Sequence, residues 1–239
     1  MPNWVATVAE FIGEDEDIQA VFKEIASEET KFDFNKLIPM PESLNVTSGS
    51  QSDLAYAYYS VKKFNRLPER RSWLSSPEDV INRVEKDIRV SSQEMLEMGK
   101  ALHENKEKYG ATTWYDWCIE NWGTKWNACE VQVSDYTIEF STAWGFAEPV
   151  MRKLAELCAK HSVDFEGEWA DEDMGSNTGH FESCEGEFYC EFNDNYSSEA
   201  YATYERCHGD SDCIGVDANG NYFRHECDES CPNYEECMG

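Results

Sequence analysis

Two groups of side chains in this 239-residue chain have the types and spacing to do chemistry. The first is Cys207, Cys213, Cys227 and Cys231, in the run CHGDSDCIGVDANGNYFRHECDESC. One cysteine pair stands on each side of IGVDANGNYFRH, a segment with the hairpin-turn dipeptide Asn219-Gly220. A zinc ribbon is built this way, with thiolates from two loops meeting at one tetrahedral ion. The C-x5-C and C-x3-C spacings depart from the usual C-x2-C, and His208, His225 or Cys237 could each replace a ligand. Disulfides formed on isolation and reduced thiols are the alternatives. The expected cofactor is a structural zinc. Calcium at DANGN (217–221) is not expected, because the glycine is misplaced and no Glu follows at the required position.

The second group is carboxylates. Net charge is -28, and it is unevenly spread. Residues 161–239 hold 21 Asp+Glu against 2 Lys+Arg, and residues 1–160 hold 27 against 18. The densest runs are EWADED, EFYCEFNDN and DESCPNYEE. They supply Glu168, Asp171, Glu172, Asp173, Glu187, Glu191, Asp194, Asp228, Glu229, Glu235 and Glu236 as candidate partner-binding residues. A field of this sign repels phosphate backbones and attracts basic surfaces. It excludes direct nucleic-acid binding as the expected activity and points to a basic partner. Acidity for solubility or for a salty habitat is the bland alternative, although a salt-adapted chain should be acidic throughout.

Catalytic signatures are weak. There is no nucleophile elbow, P-loop or H-E-x-x-H. The five histidines are scattered, and in so acidic a chain a close carboxylate pair is the default. No cysteine spacing matches an iron–sulfur site. A non-enzymatic protein is expected.

The stretch TWYDWCIENWGTKWNA (113–128) carries Trp114, Trp117, Trp122 and Trp126. Stacking on bases needs Lys and Arg along the backbone, and here Lys125 stands alone against Asp116 and Glu120. Core packing where a helical block meets a sheet is the leading reading. A protein-docking patch is the alternative, with Trp122 beside Gly123 as the ring that reaches a partner.

The elements that must position these groups follow from periodicity. WVATVAEFI (4–12) reads as a strand, and Gly13 ends it. The acidic turn 14–17 then opens a helix with Ile18, Val21, Phe22 and Ile25 on one face. KFDFNKLIPMP (31–41) reads as extended. A helical block follows at about 52–110: Leu54–Phe64, a helix capped by Ser76 with Pro77 in its first turn and Val80, Ile81, Val84 and Ile88 as its stripe, and Ser92–Tyr109 ending at Gly110. Strands are expected over 128–144, 162–172 and 180–192, the last as a hairpin through Glu185-Gly186, with a helix from Pro149 between the first two. The β-α-β, β-α-β order outside the helical block is ferredoxin-like. The expected fold is α+β: a ferredoxin-like antiparallel sheet over 1–192 with the helical insertion, and an acidic Cys-rich C-terminal extension over 193–239. In that extension the large aliphatics are few, Ile214, Val216 and Met238, so it should be mobile without a cross-link or docking surface.

MPNW, FDFNKLIPMPESL, YGATTWYDWCIENWGTKWNA and FSTAWGFAEPVMRKL together resemble the YubB-like family of plasmid and phage proteins, which carry a ferredoxin-like domain. The resemblance covers roughly residues 1–170 and supplies no catalytic residues. It implies an origin in a mobile element, where small acidic proteins often block host defences. The expected function is thus an inhibitor of a host defence complex, such as a CRISPR effector or restriction enzyme. It would mimic nucleic acid on the basic nucleic-acid-binding surface of its partner. An accessory enzyme or small-ligand binder using the sheet face is the alternative. Mean hydropathy is -0.67 and no apolar run approaches about 18 residues, so no membrane span is expected. MPNWVATVAEF has no basic n-region, so the host cytoplasm is the expected location.

Overall fold

The computed structural model describes residues 3–68, 73–86 and 90–225. In chain order the elements are β1 (Trp4–Ile12), α1 (Asp15–Ile25), α2 (Phe34–Leu37), α3 (Ser50–Phe64), α4 (Pro77–Lys86), α5 (Ser92–Tyr109) and α6 (Trp114–Trp122). There follow β2 (Cys129–Val133), β3 (Thr137–Ala143), α7 (Glu148–Cys158), β4 (Asp164–Asp171), β5 (Thr178–Cys184), β6 (Glu187–Phe192), α8 (Ser198–His208), β7 (Ile214–Val216) and β8 (Tyr222–Arg224). They fall into two compact units, Met1–Pro39 with Trp122–Gly239, and Met40–Asn121.

The first unit is built on a six-stranded antiparallel sheet of order β2-β3-β1-β4-β5-β6. Within it, β1-α1-β2-β3-α7-β4 is the ferredoxin-like pattern, and the β5-β6 hairpin widens the sheet at the β4 edge. Strict alternation along β1 buries Val5, Thr7, Ala9 and Phe11 on one face. α1 lays its stripe of Ile18, Val21, Phe22 and Ile25 on that face, where the Phe22 ring meets Phe11 edge-on at 4.8 Å. Each such side chain contributes about 1.5–3 kcal/mol by leaving water. α7, started by Pro149, buries Val150, Met151, Leu154, Ala155 and Cys158. Beside it Phe146 stacks on Trp169 at 4.3 Å, and Gly179 leaves the room, since a Cβ there would come within 2.3 Å of the Trp169 ring. Arg152 of α7 donates to the Phe188 carbonyl at 3.0 Å, covering one acceptor on the open edge of β6. The hairpin turns as expected at Glu185 and Gly186, both at positive φ (50° and 90°), the two-residue geometry that matches strand twist.

One sequence expectation is corrected in this unit and another is resolved. Residues 31–41 are not an extended segment. Asp33 accepts from the Asn35 N–H at 3.0 Å and so starts the short α2, with Phe32 and Phe34 fully buried. The segment from 193, expected to need a cross-link or a docking surface, finds the docking surface up to residue 225. Ser197 caps α8 by accepting from the Ala200 N–H at 3.1 Å, and α8 packs on β4, β5 and β1. It buries Ala200, Tyr201, Ala202 and Thr203, a surface of small and aromatic residues that a search for large aliphatics passes over. The β7-β8 hairpin contacts α8, with the Tyr222 N–H donating to Ser198 at 2.8 Å. Its loop is organised by Asp217, which accepts from the Asn219 and Asn221 N–H groups at 2.8 and 2.9 Å.

The second unit is helical. α3, α4 and α5 share a core of Ala55, Ala57, Tyr58, Val61, Leu74, Val80, Val84, Met95 and Leu102. Ser76 caps α4 as expected, accepting from the Asp79 N–H at 3.1 Å. α5 opens on a Ser91–Glu94 capping box and closes on Gly110 at φ 76°. Ile88 lies outside the described residues. The unit extends beyond 52–110 because buried Asn105 ties both flanks to α5: it accepts from the Ser43 hydroxyl at 2.7 Å and donates to the Thr112 carbonyl at 3.3 Å. The four-tryptophan stretch is thereby divided. Trp114 and Trp117 belong to the helical unit, Trp122 and Trp126 to the sheet unit.

Candidate functional site

The division into units reassigns the charge. The sheet unit carries 35 Asp+Glu against 9 Lys+Arg, whereas the helical unit carries 13 against 11. Acidity is therefore a property of the ferredoxin-like unit, and one face of its sheet carries a row of carboxylates.

That face is the one opposite α1 and α7. Alternation places Val8 and Glu10 of β1, Glu166 and Glu168 of β4, and His180 and Glu182 of β5 on it. The strand register then sets Glu10 directly opposite Glu166, and Glu166 directly opposite Glu182. Three carboxylates form a row across three adjacent strands. Like charges in directly opposed positions are destabilising. Among the described residues none of the three has an ion-pair partner. Two residues along the strands, Val8, Glu168, His180 and Glu191 make the next row, with His180 and Glu191 3.8 Å apart. α8 walls one side. The two rows, Glu191 excepted, border a groove of about 590 Å³ that includes Glu199 and Arg206 of α8.

Arg206 is spoken for. Its guanidinium pairs with Glu168 through Nε and Nη2 and with Glu199 at 2.9 Å, and these carboxylates hold its pKa above the ordinary arginine value. The groove thus offers carboxylate oxygens in excess. Such a surface suits ammonium and guanidinium groups.

The sequence-derived candidates distribute unevenly about this site. Glu168 is in the groove but already paired, and Glu191 is exposed on the same face. Glu172, Asp173, Glu187 and Asp194 are exposed around β4, β5 and β6. Asp171 is 5% exposed and organises the β4–β5 turn, accepting from the Asp173 N–H at 3.0 Å and Asn177 Nδ2 at 3.2 Å. Trp122 is corrected: it is buried, donates Nε1–H to the Ile38 carbonyl at 2.9 Å and meets Phe34 edge-on, so it presents no surface to a partner. Asp228, Glu229, Glu235 and Glu236 lie outside the described residues. Glu10, Glu166 and Glu182 were missed. Their signal is the polar phase of three alternating segments, which the acidic runs conceal because these residues stand outside them.

Of the candidate zinc ligands, Cys207 is half-buried on α8 and Cys213 is buried just before β7. Burial, helped by the nearby Glu168 charge, pushes the Cys207 thiol up to about 12. Cys227 and Cys231 lie outside the described residues. Among the described residues no three His, Cys, Asp or Glu side chains converge with metal-binding geometry.

Residues 121–208 match a family model described as a ferredoxin-like domain in Api92-like protein. The match runs through α8, well past residue 170, and so includes the β5-β6 hairpin. Among solved structures, a crystal structure of a protein api92 from Yersinia pseudotuberculosis is similar over 81% of this chain and 99% of that one, at 9% identity and a TM-score of 0.33. No curated protein matches. Among the described residues no helix is long and apolar enough to cross a membrane.

Proposed function

We propose that this protein is a non-enzymatic inhibitor that works by offering the acidic sheet face to a basic, nucleic-acid-binding protein. Carboxylates take the place of phosphates. The observation that carries the reading is the Glu10–Glu166–Glu182 row, a charge arrangement that costs stability in the isolated fold and is relieved by a cationic surface. Exposed Glu191, Glu172, Asp173, Glu187 and Asp194 extend the same field. The partner we propose is a host defence complex in the cytoplasm, a CRISPR effector or restriction enzyme. This finer assignment, like the YubB-like family and the mobile-element origin, draws on the sequence resemblance. The test is capture from host cells expressing their defence systems, repeated with Glu10→Gln/Glu166→Gln/Glu182→Gln. Capture should fall steeply between about 50 and 500 mM salt and be weakened by the triple variant. Capture that is flat with salt, or equal for the variant, overturns the proposal.

The groove itself favours a second reading, a small-ligand binder on the sheet face, because a concave acidic site of this size also fits a small polyamine. Saturable spermidine binding that survives in the absence of any protein partner would select it.

Zinc on Cys207, Cys213, Cys227 and Cys231 completes the proposal as a staple across the base of the β7-β8 hairpin. Metal analysis of protein purified without chelator should find the ion. Less than about one zinc for every two chains overturns it.

A further inference from the structure

The helical unit holds a pocket of a different character. It measures about 620 Å³, within the range of small-molecule sites, and lies between α3, α5 and the segments that follow each. One wall is aromatic: the His103 ring is 5.0 Å from Phe64 and 5.9 Å from Tyr56. Two cations flank it. Arg66 sits 6.0 Å over the Phe64 ring, and Lys106 reaches the Gly110 carbonyl at the end of α5. Asp116 supplies a carboxylate. Among the described residues, Nδ1 of His103 is buried with no hydrogen-bond partner, while Nε2 faces Glu107 at 3.4 Å. Nδ1 is sealed from the pocket, so what the pocket offers a ligand is the His103 ring and not this atom.

We propose that this pocket binds a mononucleotide-sized ligand, a planar aromatic ring that carries an anionic group. The ring would stack against Phe64 and lie beside the His103 ring. The anionic group would lie between Arg66 and Lys106, and Asp116 would accept from hydroxyl or amino groups. The placement is electrostatically consistent. An anion is repelled by the sheet unit, but the helical unit has 11 bases for its 13 acids. The inference concerns a site apart from the acidic groove and stands or falls without it.

The test is NMR of the histidine ring signals in the full chain, titrated with 5′-AMP, adenosine or inorganic phosphate. His103→Gln assigns the His103 signals among the five histidines. 5′-AMP should shift the His103 signals saturably and bind more tightly than adenosine or phosphate alone. Arg66→Ala should weaken 5′-AMP binding by roughly tenfold or more, with its thermal midpoint showing that it still folds. No shift of His103 at about 5 mM 5′-AMP overturns the proposal, as does adenosine or phosphate binding as tightly as the nucleotide.

Discussion

Asn127 makes three hydrogen bonds with one side chain. Its Oδ1 accepts from the Phe34 N–H at 2.8 Å and the Ala128 N–H at 2.9 Å, and its Nδ2 donates to Asp33 Oδ1 at 2.8 Å. It thereby fixes the loop that carries Phe32 and Phe34 into the core. Asn127→Ala should cost about 2–3 kcal/mol in chemical denaturation, since two backbone donors and a carboxylate lose their partner together. Asp33 adds a pH signature. Burial pulls its pKa up, but the Asn35 N–H and the Asn127 and Asn35 amides outweigh that and hold it below the usual aspartate value. A depressed folded pKa gives stability that is present above the unfolded value, near about 3.9, and is lost as pH falls through the lower folded value. The Asn127→Ala variant should therefore lose less stability than wild type below about pH 4, having surrendered part of that term already. Equal acid limbs for the two proteins would show that Asn127 does not act through Asp33.

At the scale of elements, what could be read from sequence depended on whether one period decided the outcome. β1, α1, α4, α5, α7 and the β5-β6 hairpin were legible because apolar spacing, a cap or a turn pair agreed within each segment. α2 was not, since a single side chain, Asp33, overrides the extended pattern around it. α8 was not, because Ala200, Ala202 and Thr203 are small and bury little area each among polar neighbours, yet α8 packs on β4. The α3–α5 pairing hides in a glycine: a Cβ on Gly99 would come within 2.1 Å of the Ala55 carbonyl, so the two helices approach only because none is there. Sites are harder than elements. The carboxylate row draws on residues 10, 166 and 182, and no local pattern ties them until the β4 register with β1 and β5 is known. Trp122 shows the converse error, a residue type enriched at interfaces that here fills a core beside Phe34.

Over the whole molecule, 35 acids against 9 bases in the sheet unit mean that self-repulsion is part of its folding free energy, and the row across β1, β4 and β5 sets three carboxylates in directly opposed positions. Glu166 stands at the centre, opposite Glu10 on one side and Glu182 on the other. Neutralising it removes two like-charge oppositions and leaves the backbone ladder intact. Glu166→Gln should therefore raise the thermal midpoint at low salt by about 1–3 °C, and the gain should shrink at about 0.5 M salt, where screening does the same work in wild type. Arg206 sets the contrast. It is the cation that holds Glu168 and Glu199, so Arg206→Gln adds uncompensated charge and should lower the midpoint, most at low salt. A protein that retains a destabilising row on its surface is trading stability for something the row does. If Glu166→Gln gains stability and at the same time loses capture of the basic partner, that trade is located at this residue. If it lowers the low-salt midpoint, the row is held by interactions other than repulsion, and the sheet face is not a surface waiting for positive charge.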